Sequence, residues 1–372
     1  MSTEKYLKLL GKKSASVRTR GGIGTTRSTR AIVNAPSDLP DSLATDLVLR
    51  TKNNLDKIAE DMYADADHRS LINATLSDAV EGLAIVGNEG PGVRLTKEQQ
   101  AGLEAIVIAT GSRPAFKFKD FLDDTLDFAA EWRDSFSQYR DQLIEVGSSV
   151  GRIDLQDRHS GTAFVVGEDL IMTNRHVLKT IGVEDECGNW QIDPNATIKF
   201  ADHRFEIAND VLFAGEGDVS RVDFKNIDMA VLRCLEVGTD FPEPLKLKRN
   251  AADIMVGRYS YVMGFPGRPG PGYEDFPILK KLFNLQYGVK RISPGEIDAT
   301  IGDLEDDINN SVIQHDCTTL GGNSGSPIID FDETGRGVFG IHFAGAKRVA
   351  NYAHALAVFK DRLEGLGMEF TD

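Results

Sequence analysis

The stretch Thr319-Leu-Gly-Gly-Asn-Ser-Gly-Ser-Pro327 decides the reading of this chain, because a loop of small residues around Ser324 runs directly into the apolar segment Pro327–Ile329. Glycines on both sides of Ser324 let the backbone bend tightly around a side chain that must stay exposed, and let amide N–H groups converge on one point. A serine so displayed is a candidate nucleophile, and the amides of Gly322 and Ser324 are then placed to hold an oxyanion. Taken alone, the segment also reads as an ordinary Gly/Ser turn.

Working outward, Gly161 to Val177 reads as a β-hairpin that ends in Thr173-Asn-Arg-His176. A serine hydroxyl is a weak nucleophile until an imidazole takes its proton, so a histidine presented from a rigid strand end supplies the base. Between them, Asn226-Ile-Asp228-Met-Ala-Val-Leu232 places one carboxylate just before an apolar strand. An acid there can hold the imidazole tautomer and stabilise its protonated form. Each signal is modest by itself. Their conjunction, in the order His, Asp, Ser with gaps of 52 and 96 residues, carries the argument.

The texture of the chain changes at Val146-Gly-Ser-Ser149. Before it, from Asp41 to about Leu143, the sequence reads helical. Asp41/Ser42 is a cap with Val48, Leu55, Ile58 and Met62 behind it, a second segment covers Leu71–Ile85, and Thr96-Lys-Glu-Gln99 matches a capping box. Phe128, Trp132, Phe136, Tyr139 and Leu143 step along one helix face. After it come short β-rich runs bounded by turn residues: Gly161–Val166, Leu170–Thr173, Ala230–Leu232, Tyr259–Met263, Ser311–Gln314, Pro327–Ile329 and Gly337–Phe343. Many short strands at this spacing suggest a barrel or sandwich. A closing helix is expected over His354–Leu366. The domain reading is therefore a basic flexible arm at 1–40, a helical region of unknown role at 41–145, and a mainly β domain at 146–372.

On the motifs TNRHV, DMAVL and GNSGSP, residues 148–366 resemble the chymotrypsin-like serine peptidases, whose fold is a double β-barrel with a C-terminal helix. The resemblance implies a catalytic triad of His176, Asp228 and Ser324, with an oxyanion hole at Gly322 and Ser324. Within the family the chain looks closest to bacterial glutamyl endopeptidases, through GNSGSP, Val262-Met-Gly-Phe-Pro-Gly267 and Gly340-Ile-His342. That likeness implies cleavage after Glu or Asp, with Thr318, Thr319 and His342 lining the pocket for the substrate side chain. Thr318 stands where trypsin-like enzymes keep the aspartate that attracts Arg and Lys. Gly345 departs from the glutamyl pattern, which tends to have a serine hydroxyl near there. Asn323 replaces the aspartate that pairs with a newly cut N-terminus in the digestive members, so activity without that processing is expected. A catalytically silent peptidase fold used as a scaffold is the alternative from another class. An esterase elbow matches GNSGS only partly, since the fifth residue is Ser326.

Composition narrows the setting. At 372 residues, 41% hydrophobic and 27% charged, the chain reads as an ordinary soluble protein of two parts. Cys187, Cys234 and Cys317 lie far apart and leave at least one unpaired, which points to a reducing compartment and a cytoplasmic location. No apolar run approaches the roughly 20 residues of a membrane span. The net charge of −15 conceals an asymmetry: residues 1–36 carry eight Lys/Arg against Glu4, a local +7, so the remainder carries −22. The arm reads as a solvated tail, with nucleic acid, a membrane surface or an organelle transit signal as alternatives. The acidic body argues against a nucleic-acid footprint elsewhere. His68, His159, His203, His315 and His354 have no metal-ligand spacing, Gly264–Gly272 lacks the ending of a phosphate loop, and no metal or cofactor is expected. The expected partners are a protein or peptide substrate and a regulatory protein docking on the helical region.

Overall fold

The computed structural model describes residues 66–89, 113–118, 130–219, 222–235, 237–238, 240–269, 282–332, 335–346 and 350–371, with positions 95, 96, 98, 99 and 103. The basic arm, the helix expected from Asp41/Ser42, Phe128 and the end of the Gly264–Gly272 loop, from Gly270, lie outside these. The chain divides into two compact units, Met1–Thr110 and Gly111–Asp372. Residues 111–145, grouped by sequence with the helical region, thus fall in the unit that holds the β structure.

In the first unit, α1 (Ala66–Glu89) covers the expected segment and buries Leu76, Ala79, Leu83 and Val86 at helical spacing. The capping box closes as its sequence requires. The Thr96 amide donates to Gln99 Oε1 at 2.9 Å and the Gln99 amide to Thr96 Oγ1 at 3.1 Å.

The second unit opens with β1 (Phe116–Lys117), α2 (Ala130–Gln138) and α3 (Arg140–Ser148). The expected single aromatic helix is broken at Tyr139, whose φ of −109° and ψ of 20° leave the helical well. Trp132, Phe136 and Leu143 are nonetheless all buried. The first barrel is closed by β2 (Val150–Leu155), β3 (Arg158–Val165), β4 (Leu170–Thr173), β7 (Ala196–Phe200), β8 (His203–Ala214) and β9 (Ala230–Cys234). The helix α4 (Arg175–Ile181) and a small hairpin of β5 (Gly182–Glu184) and β6 (Trp190–Ile192) interrupt that run. The β2–β3 turn has two central residues, Gln156 and Asp157, at φ of 51° and 61°, the primed geometry whose twist matches the strands.

A short strand β10 (Leu247–Lys248) leads to the second barrel: β11 (Tyr259–Gly264), β12 (Arg291–Ala299), β13 (Val312–His315), β14 (Pro327–Asp332), β15 (Gly335–Ala346) and β16 (Ala350–Ala355). Pairing runs β14-β11-β12-β13-β16-β15, and β14 also pairs β15, so six strands close a second ring. The chain finishes with a 3₁₀ turn at Leu356–Phe359, α5 (Lys360–Glu364) and β17 (Phe370–Thr371). The closing helix therefore starts later than expected. His354 sits in β16, paired on both sides with β13 and β15, and ladder bonds there override the local helical pattern.

Why the apolar runs are unbroken follows from the two-barrel layout. Side chains of a strand alternate between faces. In β3 and its continuation, Ala163 and Val165 fill the first barrel while Phe164 and Val166 face the seam between barrels. Likewise Ile171 points inward and Met172 to the seam, Leu232 inward and Val231 to the seam. Tyr261, Met263, Ile329 and Val338 join the seam from the second barrel, and Trp132, Phe136 and Val146 cover it from α2 and α3. Phe164 is fully buried, and such burial stabilises by about 2–3 kcal/mol.

Candidate active site

Asn174 closes β4 in extended conformation, with φ −85° and ψ 153°, and α4 starts at the next residue, lifting His176 in its first turn. Asp228 holds that histidine at two points. Its Oδ1 accepts the His176 amide at 2.9 Å and its Oδ2 pairs with Nδ1 at 2.6 Å. The carboxylate is itself fixed through its backbone. The Asp228 carbonyl accepts from Asn174 Nδ2 at 2.7 Å, and its amide donates to His354 Nε2 at 3.0 Å. With Nδ1–H committed to the carboxylate, the lone pair of His176 lies on Nε2, the tautomer a base requires. Its side chain keeps 32% exposure while Asp228 keeps 8%, so substrate can reach the imidazole but water hardly reaches the acid.

Ser324 lies half-buried at the apex of a turn bounded by two left-handed glycines, Gly322 at φ 94° and Gly325 at φ 86°. Both positions also lack room. A Cβ on Gly325 would stand 2.0 Å from the Thr162 carbonyl oxygen, and one on Gly322 2.4 Å from His159 Cε1. Thr162, on β3 of the other barrel, clamps the turn: its amide donates to the Ser324 carbonyl at 2.9 Å and its Oγ1 to the Gly322 carbonyl at 2.8 Å. Gly161 is the contact between the two halves of the site. A Cβ there would meet Val177, next to His176, at 2.8 Å and the Ser324 carbonyl at 3.3 Å. The amides of Asn323, Gly325 and Ser326 all donate within the fold, whereas among the described residues those of Gly322 and Ser324 find no acceptor. Of the four residues that the sequence assigned to this chemistry, His176 and Asp228 are in direct contact, while Gly322 and Ser324 are tied to the first barrel through Thr162 and Gly161.

The residues assigned to the substrate side chain are placed as follows. Thr318 Oγ1 donates to the Arg113 carbonyl at 2.7 Å, and Thr319 Oγ1 to Asn351, whose Nδ2 returns to the Cys317 carbonyl at 2.8 Å. His342 is buried on β15 between the hydrogen bonds Gly325 N–H to its carbonyl and its own N–H to Ser326. Its Nδ1 faces His315 Nε2 at 3.3 Å. Burial, then the neighbouring His315 and His176, hold its pKa well below 6.5, so the ring is neutral in the free protein at pH 7. Burial likewise lowers His354 to about 4, against a smaller opposing pull from Asp228. Asn174, Thr162, His354 and Arg113 were missed by sequence reasoning. Asn174 adjoins the histidine motif, but the others are given meaning only by folding.

No group of three His, Cys, Asp or Glu side chains able to hold a metal occurs among the described residues, and no helix among them is long and apolar enough to cross a membrane. All three cysteines are free thiols.

Residues 161–341, which contain the whole histidine, aspartate and serine constellation, match the family model for the trypsin-like peptidase domain. The fold and this match define a serine peptidase with a chymotrypsin-like double barrel. A probable serine protease of Lysobacter enzymogenes is 29% identical over 307 residues, spanning 75% of this chain and 78% of that protein. Among solved structures, the active form of a protease from M. tuberculosis aligns at 22% identity, covering 61% of this chain and 85% of that one with a TM-score of 0.38. Neuropsin, a serine protease expressed in the limbic system of mouse brain, aligns at 11% identity, covering 60% and 96% with a TM-score of 0.42.

Proposed function

We propose that His176, Asp228 and Ser324 are base, orienting acid and nucleophile of an endopeptidase that works through an acyl-enzyme. Ser324 Oγ attacks the scissile carbonyl carbon while its proton passes to His176 Nε2. The new oxyanion is held by the amides of Gly322 and Ser324. Collapse breaks the C–N bond, and His176 returns the proton to the leaving amine. Water, deprotonated by the same imidazole, then cleaves the Ser324 ester. The observation that carries this reading is the two-point grip of Asp228 on His176, which fixes both ring direction and tautomer. A fluorophosphonate probe tests it. Labelling of the parent and none of Ser324→Ala is the expected result, and equal labelling of both removes the assignment.

For the residue before the cut bond, the proposal is Glu, with Asp second. Support comes from the paired imidazoles of His315 and His342. With His315 donating from Nε2, His342 carries its hydrogen on its own Nε2, the form that donates to a carboxylate. An entering carboxylate supplies the countercharge that the buried ring lacks, so its binding takes up a proton and strengthens as pH falls. Thr319 would have to exchange Asn351 for the substrate to contribute its hydroxyl. Profiling a mixed peptide library at several pH values decides the matter: cuts predominantly after Arg, Lys, aromatic or small apolar residues, or a Glu preference unmoved by His342→Ala, overturn it. The free thiols support a reducing compartment such as the cytoplasm. For the helical region 41–145 the proposed role is docking a regulatory protein, and the separate compact unit up to Thr110 supports it for the part before Gly111.

A further inference from the structure

We infer that Arg113 is a positioning residue for the substrate side chain next to the scissile bond: a strap at 113–118, remote in sequence from the barrels, braces the wall on which that side chain rests. This rests on the assignment of Ser324 above, because the wall is the run Asp316-Cys-Thr-Thr319 that leads from β13 into the nucleophile turn.

Residue 113 bonds two of those four, Asp316 through its side chain and Thr318 through its backbone. Arg113 Nε donates to Asp316 Oδ1 at 2.7 Å, and the Arg113 carbonyl accepts Thr318 Oγ1 at 2.7 Å. The same Asp316 oxygen accepts the Glu296 amide at 2.7 Å, tying the wall to β12. Arg113 Nη2 lies 3.5 Å from Glu296 Oε1, and the three charged side chains keep at most 7% exposure. The guanidinium also lies 5.6 Å from the ring centre of Trp132 on α2. One buried cation therefore serves two buried carboxylates. Removing it takes from both buried carboxylates a countercharge they share, which disfavours their charged forms and loosens the wall that Asp316 begins.

The strap delivers this guanidinium from a fixed base. Phe116 and Lys117 pair with Ile292 and Arg291, Arg291 Nη1 donates to the Ala115 carbonyl at 2.6 Å, and the Phe118 amide donates to the Lys290 carbonyl at 2.9 Å. Meanwhile Asn323, just before the nucleophile, is buried with its Oδ1 near Ser326 Oγ at 3.5 Å. Its neutral amide offers no negative charge to pair with a liberated N-terminal ammonium. Arg113 instead sets an internal cation against Asp316, eight residues before the nucleophile.

The test uses the full chain in three variants: Arg113→Met, Arg113→Met/Asp316→Asn, which removes the stranded carboxylate so that a folded protein is obtained, and Arg113→Lys. Three readouts separate positioning from general damage: kcat and KM on the best-cleaved library peptide, hydrolysis of p-nitrophenyl acetate, whose acetyl group does not reach the wall, and the rate of fluorophosphonate labelling. The double variant is expected to lose about a hundredfold in kcat/KM on the peptide, mainly through KM, as a misplacement near 1 Å does. Acetate hydrolysis and labelling should stay within about threefold of the parent, and Arg113→Lys should recover part of the peptide KM. Unchanged peptide kinetics in a folded variant overturn the inference. So does a parallel fall of all three readouts in a variant that melts like the parent. A parent that fails to label at Ser324 would instead strike the serine-peptidase assignment itself.

Discussion

Asp228 touches His176 at the ring and at the backbone, so the two contacts can be separated by substitution. Asp228→Asn keeps an oxygen for the amide but turns an NH₂ toward the ring, forcing the hydrogen onto Nε2 and removing the base. We expect kcat to fall about 10⁴-fold with an unchanged fold, read from peptide turnover beside circular dichroism. His354, behind the acid, gives a second prediction. Its pKa is lowered from 6.5 to about 4 in the folded chain, so between those values the unfolded state binds the extra proton. Stability tied to the neutral ring is present above pH 6.5 and lost as pH falls toward 4, on the order of 3 kcal/mol in all. Melting temperature from pH 7 to 4.5 should fall more steeply in the parent than in His354→Gln. At this scale the contact between His176 and Asp228 was legible because each carries its own local motif. His354 was not, because its partner stands 126 residues away and only β16 brings them together.

Strands β3 and β4 were legible from unbroken apolar runs, although the runs could not say which residues fill a barrel and which the seam. That division needs the second barrel as a partner surface. The closing helix expected from His354 begins too early by the last two residues of β16 for the same reason: the pairing of β16 with β13 and β15 lies outside any local window. The clamp at Thr162 belongs to this scale, since one side chain on β3 positions a turn on the other barrel. It donates to the Gly322 carbonyl and accepts the Phe265 amide at 3.2 Å. Thr162→Val keeps the volume and removes both bonds. We expect about 1–3 kcal/mol of lost stability, measured by urea midpoint. We also expect kcat to fall about tenfold or more with KM little changed, because the oxyanion donors drift while the wall at 316–319 stays.

On the proposed roles, acid and base come from the first barrel and the nucleophile from the second, so activity would report the seam of the whole unit. The buried, uncharged Asn323 has a consequence for how that unit becomes active. A chain of intact mass should hydrolyse peptides, and mass spectrometry beside a peptide assay checks it; strict dependence on one cut near Val150 would refute the expectation. The double barrel was legible in outline from short strands at regular spacing. The attachment of 113–118 to the barrel was not, since two strand residues and one arginine carry no pattern until β12 offers its edge.

Gly161 stands between Val177, next to His176, and the Ser324 carbonyl, and contributes no thickness of its own. It behaves as a missing shim: Val177 on one side and the Ser324 carbonyl on the other close over its bare Cα. A series Gly161→Ala, Ser and Val would then jack base and nucleophile apart in steps without altering either. Labelling of Ser324 should decline in that order while the barrels stay folded, turning the gap into a dial for the proton-transfer distance. Equal labelling rates across the series would mean that the halves adjust freely and that no such spacing is built in.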